Sequence, residues 1–293
     1  MTESQREMNM IAPNKSRFDE LLAGQSALIL DGGLATQLEA QGYSLATDLW
    51  SARLLRDDPR AIVDAHRAFF DAGARCTISA SYQATKAGLM TLGLNAKEAQ
   101  ALIVKSVELA IVARDEFLAD NPHASESLLV AASVGPYGAP LGDGSEYTGD
   151  YGVDDLTISE FHRQRLEWLD QSGADLLACE TIPSLQEARV LHRLLLEVDS
   201  PAWVSFSCKD DKHLNDGTPI KECALLFKGH PRVRAIGINC TAPQYINGLI
   251  GEIKKADPTQ KIVVYPNSGE SYDATDNCWH GTSSPLECGE AAQ

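Results

Sequence analysis

The chain contains no run of about 18 apolar residues, the length an α-helix needs to cross a bilayer, so no such span is expected. The first 22 residues also lack the apolar stretch of a secretory signal, which makes the cytoplasm the expected location. Basic residues are scarce. There are 25 Lys and Arg against 41 Asp and Glu, giving a formal net charge of −16. A surface of that sign repels nucleic acid and anionic membrane, and neither is expected as a partner. Cysteine is thinly used: seven residues, widely spaced, with no CxxC. An odd count in a chain of 293 residues without a signal argues against a disulfide framework, and most of these thiols should be small buried hydrophobes. No GxGxxG follows the first strand-like run, which counts against a dinucleotide-binding fold. No linker or low-complexity tract divides the chain. Residues 1–20 read as a poorly ordered extension and 21–293 as one domain.

What is present is a repeating pattern. Short apolar runs occur at 27–30, 76–81, 128–135, 175–180, 202–207, 234–239 and 261–266, and their near-continuous apolar character fits strands buried on both faces. Between them, amphipathic spacing predicts helices over 60–74, 97–119, 159–174, 184–198, 219–228 and 243–256. Strands alternating with helices predict a parallel α/β fold, either an open doubly wound sheet or a closed barrel. A barrel needs eight strands and seven can be counted. Two long connections, 31–59 and 136–158, are expected to be loops over the active face.

Ligands in such folds bind at the carboxyl ends of strands, and here nearly every strand end is polar or Gly-rich. Polar turn residues account for any one of these ends, and account poorly for six together. Asp31 and Glu180 emerge directly from apolar runs. A carboxylate in that place is poorly solvated and needs a cation, either a substrate ammonium or a nearby Arg or Lys. Strand alternation puts Cys179 and Glu180 on opposite faces, so if Glu180 faces the site Cys179 packs against a helix. Cys240, just beyond a strand and after Asn239, is placed either to bind metal or act as nucleophile, or to be inert.

These clusters resemble those of the homocysteine S-methyltransferase family. The matching blocks are DGGLAT (31–36), LWSARLL (49–55), SASYQAT (79–85), SVGPYGAPLGDGSEYTGDY (133–151), ACETIPSLQEA (178–188), FSCKD (206–210), DGTP (216–219), GINC (237–240) and VVYPNSGESYD (263–273). The resemblance is strongest to the branch that uses S-methylmethionine or S-adenosylmethionine. It implies a (β/α)8 TIM-type barrel, with homocysteine and a sulfonium methyl donor as partners and methionine as product. It also implies a zinc ion that ionises the homocysteine thiol, held by three cysteines. Cys240 is one of these ligands. The other two are an adjacent pair in a GGCC motif on the eighth strand, and this sequence has no GGCC. The expectation is a chain that lacks the eighth strand and last helix, with 278–293 resembling the entry to the seventh helix. Cys278, Cys288 and His280 lack the adjacent spacing that would replace the missing pair.

The resemblance also implies roles for individual residues. Asp31 and Glu180 hold the amino group of homocysteine, Asn239 orients the site beside Cys240, and Thr36 and Tyr82 shape the amino-acid pocket. Tyr147 and Tyr151 either face the sulfonium through their rings or pack within their loop. Ser268 and Glu270 line the donor site, and Trp50 either walls the pocket or packs beneath the first loop. Two alternatives stand beside this reading. One is an inactive remnant that binds at most an amino acid. The other is a metal-free hydrolase using Asp31 and Glu180 as paired carboxylates.

Overall fold

A computed structural model describes residues 17–24, 27–45, 50–122, 124, 128–267, 271–273 and 278–280. Six parallel strands pair in chain order: β1 (Cys76–Ile78), β2 (Leu129–Val134), β3 (Leu176–Ile182), β4 (Ala202–Phe206), β5 (Val233–Asn239) and β6 (Lys261–Tyr265). The sheet curls into a half-barrel with helices outside it. The first predicted strand, 27–30, joins β1 through a single parallel bridge, Leu30 to Cys76, flanked by the bonds from Arg75 N–H to Ile29 O (2.8 Å) and from Asp31 N–H to Cys76 O (2.9 Å). The strand runs fall where the apolar pattern puts them because β2 and β3 are buried at every residue, leaving no face to be polar.

The helices are α1 (Arg17–Gly24), α2 (Leu34–Ala40), α3 (Trp50–Asp57), α4 (Pro59–Asp71), α5 (Lys86–Thr91), α6 (Ala96–Asp120), α7 (Asp155–Asp170), α8 (Leu185–Leu194), α9 (Ile220–Leu226) and α10 (Ile246–Ala256). Local chemistry starts several of them. Asn95 and Glu98 form a reciprocal capping box on α6, and Ser184 caps α8 by accepting from Glu187 N–H. Among the described residues, no helix is long and apolar enough to cross a membrane.

Strand alternation divides the core in two. Val130, Ala132, Leu177, Cys179, Val204 and Ile236 pack against the helices. Leu129, Ala131, Leu176, Ala178, Trp203 and Ala235 face the barrel interior, where Phe18 of α1 joins them. Further along that inner face the side chains turn polar, with Ser133, Glu180, Ser205 and Asn239 all buried. The interior therefore has an apolar floor and a polar mouth, and the mouth lies at the carboxyl ends of the strands.

Three expectations change. The connection 31–59 contains α2 and α3, each anchored by a fully buried leucine, Leu38 and Leu55. The expected extension 1–20 meets a helix from Arg17: Phe18 is buried and Asp19 pairs with Arg234 at 2.9 Å, so chain as early as residue 17 belongs to the barrel. Finally, Cys278–His280 is not helical. It forms β8, antiparallel to β7 (Ser271–Asp273).

Candidate functional site

Asp31 stands just past the first strand. Its Oδ2 accepts from Thr77 Oγ1 and from Ile78 N–H, both at 2.7 Å. Thr77 in turn meets His66 Nδ1 at 2.8 Å. Since the Thr77 hydroxyl gives its proton to Asp31, His66 donates from Nδ1, and its ring is neutral because burial lowers its pKa to about 4. Loss of solvation raises the Asp31 carboxyl to about 7 against an ordinary 3.8, the bonds from Thr77 and Ile78 oppose this, and the charge of Glu180 adds to it. Glu180 lies near the carboxyl end of β3, in the interior, with its pKa also raised by burial. The Ser133 hydroxyl, Tyr265 and the nearby Arg165 guanidinium work against that rise. Among the described residues neither Asp31 nor Glu180 forms an ion pair, so the charge of Arg165, acting on Glu180 without direct contact, leaves the two carboxylates room for a cation between them. Cys179 is fully buried among the helix-facing residues, as alternation requires.

Beside this pair lies a chain of directed hydrogen bonds. Trp203 Nε1–H donates to Tyr265 Oη at 3.2 Å, and Tyr265 Oη meets Ser205 Oγ at 2.7 Å. Ser205 Oγ and Thr181 N–H both donate to Asn239 Oδ1, each at 2.8 Å. That fixes the amide's orientation, so its Nδ2 faces Thr181 Oγ1 (2.7 Å) and Cys240 Sγ (3.4 Å). Thr181 Oγ1 lies 3.6 Å from the same sulfur. Two donors thus converge on Cys240, an arrangement suited to a thiolate. The backbone is strained at both residues, with φ of 62° at Thr181 and 46° at Cys240. Non-glycine residues take that conformation at a cost, and it is found where function holds the chain in place. Burial raises the Cys240 thiol to about 11, with Thr181 opposing the rise.

Tyr82 joins the group. Burial holds its hydroxyl far above its ordinary pKa, and the charges that bear on it come from Glu146, Cys240 and Tyr147. Gly135 makes this approach possible, because a Cβ there would sit 2.6 Å from Tyr82 O. Glu146, in the 3₁₀ turn Ser145–Tyr147, is half-buried and lifted to about 7 by loss of solvation. Sequence reasoning passed over it, since one glutamate among 41 acidic residues carries no distinguishing signal. For Tyr151 the packing alternative holds: its hydroxyl bonds Glu187 at 2.7 Å, and its ring packs on Tyr137 at 5.1 Å.

The structure therefore brings together Asp31, Glu180, Asn239, Cys240 and Tyr82, with Glu146 and Tyr147 nearby. Thr36 stands exposed near the start of α2. Ser268, Glu270 and Cys288 lie outside the described residues, as do the side chains of Trp50, Cys278 and His280. No three His, Cys, Asp or Glu among the described residues gather as a metal site. One thiol falls short of the three protein ligands of a catalytic zinc, so the described residues alone do not make one.

Known proteins match this chain along most of its length. A family model described as homocysteine S-methyltransferase covers residues 28–290. The Bacillus subtilis (strain 168) homocysteine S-methyltransferase YbgG is 47% identical over 269 residues, covering 91% of this chain and 85% of its own. A homocysteine S-methyltransferase of Escherichia coli (strain K12) is 49% identical, covering 89% and 84%. Among solved structures, the metallated form of the Escherichia coli homocysteine methyltransferase MmuM superimposes with a TM-score of 0.83 at 48% identity, covering 86% of this chain and 88% of that one.

Proposed function

The chain belongs to the homocysteine S-methyltransferase family, and from that premise we propose that it moves a methyl group from a sulfonium donor to the sulfur of homocysteine, giving methionine. The carrying observation is the Asp31–Glu180 pair: two poorly solvated carboxylates at the barrel mouth, without an ion pair among the described residues, beside the polarised sulfur of Cys240. An ammonium supplies the missing charge, and the α-amino group of homocysteine carries one. In the transfer, the donor's S–CH₃ bond breaks with its electron pair staying on the donor sulfur, which leaves as a neutral thioether. The homocysteine sulfur forms the new S–CH₃ bond, and its thiol proton goes to solvent.

Such a donor is already electrophilic, so little acid–base work is needed, and holding the two sulfurs in line around the methyl carries much of the rate. Asp31 and Glu180 hold the amino group, Asn239 fixes the surroundings of Cys240, and Tyr82 and Tyr147 wall the pocket. Thr36 and Ser268 complete the substrate contacts in this reading. Zinc belongs to it as well, with Cys240 as the described candidate ligand, and the metallated form of the E. coli relative supports a metal in the family.

The test is to incubate the chain with L-homocysteine and either S-methylmethionine or S-adenosylmethionine and to quantify methionine. Methionine with either donor supports the reading, and the ratio of kcat/KM values identifies the donor. Homocysteine binding without methionine formation overturns the transfer and leaves a chain that only holds the amino acid. Cys240→Ser is expected to reduce methionine formation to background, and undiminished turnover in that variant removes Cys240 from the site.

A further inference from the structure

Glu187 lies on α8 with its side chain fully buried, where an amphipathic helix should present an apolar residue. Three groups converge on its carboxylate. Tyr137 N–H reaches Oε1 at 2.6 Å, His162 Nε2 reaches Oε1 at 2.7 Å, and Tyr151 Oη reaches Oε2 at 2.7 Å. The peptide N–H can only donate. The Tyr151 hydroxyl donates to Oε2, and His162 turns Nε2 to Oε1. His162 Nδ1 is buried without a hydrogen-bond partner, which fits a neutral ring whose one proton sits on Nε2. Arg165 lies close by, its guanidinium held by the Tyr82 and Gly135 carbonyls and stacked 5.0 Å over Phe161.

The donors to Glu187 come from separate places. His162 belongs to α7, while Tyr137 and Tyr151 lie at the two ends of the connection that follows β2. Between them that connection carries Glu146 and Tyr147 towards Tyr82 and Cys240. It is folded tightly on itself: a Cβ at Gly138 would lie 2.5 Å from Glu146 N. One buried carboxylate therefore ties down both ends of the segment that forms a wall of the site.

We propose that Glu187 is a positioning residue that fixes the 137–151 segment as the wall of the site beside Tyr82 and Cys240. That this wall faces substrate rests on the methyl-transfer reading, whereas the tie itself does not. Glutamate suits the task because it accepts at both oxygens. Glutamine would turn an N–H₂ towards one of the donors, and aspartate is one methylene too short to reach them all.

The experiment compares the full chain with its Tyr151→Phe and Glu187→Gln variants. Its readouts are hydrogen exchange along the chain, Tm, and calorimetric binding of S-methylmethionine and of L-homocysteine, measured separately and without turnover. Tyr151→Phe removes one hydroxyl and is the milder change, so it decides the matter if Glu187→Gln does not fold. The expected result is faster exchange confined to 137–151, with Tm little changed and binding of L-homocysteine or S-methylmethionine weakened about tenfold, the scale of one lost bond to a charged group. Unchanged exchange in 137–151 overturns the proposal. So does a fall in Tm with exchange quickened along the whole chain, the pattern of a purely structural residue. Failure of the unsubstituted chain to bind S-methylmethionine counts against that donor and not against the tie. Absence of methionine in the turnover assay counts against the transfer reading alone.

Discussion

Asp31 shows what a single residue gains from its surroundings. Its carboxyl, lifted to about 7 from 3.8 by burial, is about half neutral near pH 7. An ammonium bound there draws it into the ionised form and releases a proton. Affinity for L-methionine, which has no thiol to titrate, should therefore rise between about pH 6 and pH 8, and calorimetry in buffers of different ionisation heat should register proton release. The folded protein also holds this proton more tightly than the unfolded chain. Stability of the ligand-free protein should accordingly fall as pH rises from about 4 to about 7 and flatten above that, and Asp31→Asn should remove part of that slope in a series of Tm measurements. Asp31 itself was legible, as a carboxylate leaving an apolar run. Its relay through Thr77 to His66 was not, because Thr77 lies 46 residues from Asp31 and 11 from His66 on α4, and the three meet only when the helix packs on the sheet.

At the scale of elements, the strand and helix pattern carried over well, since continuous burial of β2 and β3 and the capped starts of α6 and α8 are local consequences of composition. Close approach between elements is not local. Gly237 lies in β5 against β6, and a Cβ there would fall on the Val263 carbonyl. Gly237→Ala should force the two strands apart and lower stability by about 3 kcal/mol, read as a shift in the urea midpoint. Glu187 makes the same point from a helix. The spacing Ser184-x-x-Glu187 has the form of a capping box, and Ser184 does cap α8. The carboxylate, however, turns inward to Tyr137, Tyr151 and His162, partners supplied by other parts of the chain.

Across the whole molecule, the sheet runs from the single bridge at Leu30 to β6, and a cavity of about 580 Å³ lies between these two ends. Leu28, Ile29, Leu30, Trp203, Val263 and Tyr265 are among its lining residues, and Ile29 is 64% exposed. Among the described residues, strands at such an edge have one side unpaired, whereas β3 and β4 are paired on both. Amides of 27–31 should therefore exchange with deuterium well before those of β3 and β4, which hydrogen exchange read by mass spectrometry will check. Equal protection would mean that the edge is covered.

The sequence by itself determined the alternation of strand and helix and pointed to the strand ends, with Asp31, Glu180 and Cys240 as candidates there. These follow from short-range patterns of burial and polarity along the chain, whereas Asn239 came from the family resemblance. Only the tertiary structure decided which side chains face one another: the Thr181–Asn239 cradle under Cys240, Glu146 at the pocket, and Tyr151 turned to Glu187. Those relations depend on strand curvature and on contacts between residues far apart in the chain. No local periodicity encodes them, because hydrogen-bond direction is set by where the partner lies after folding.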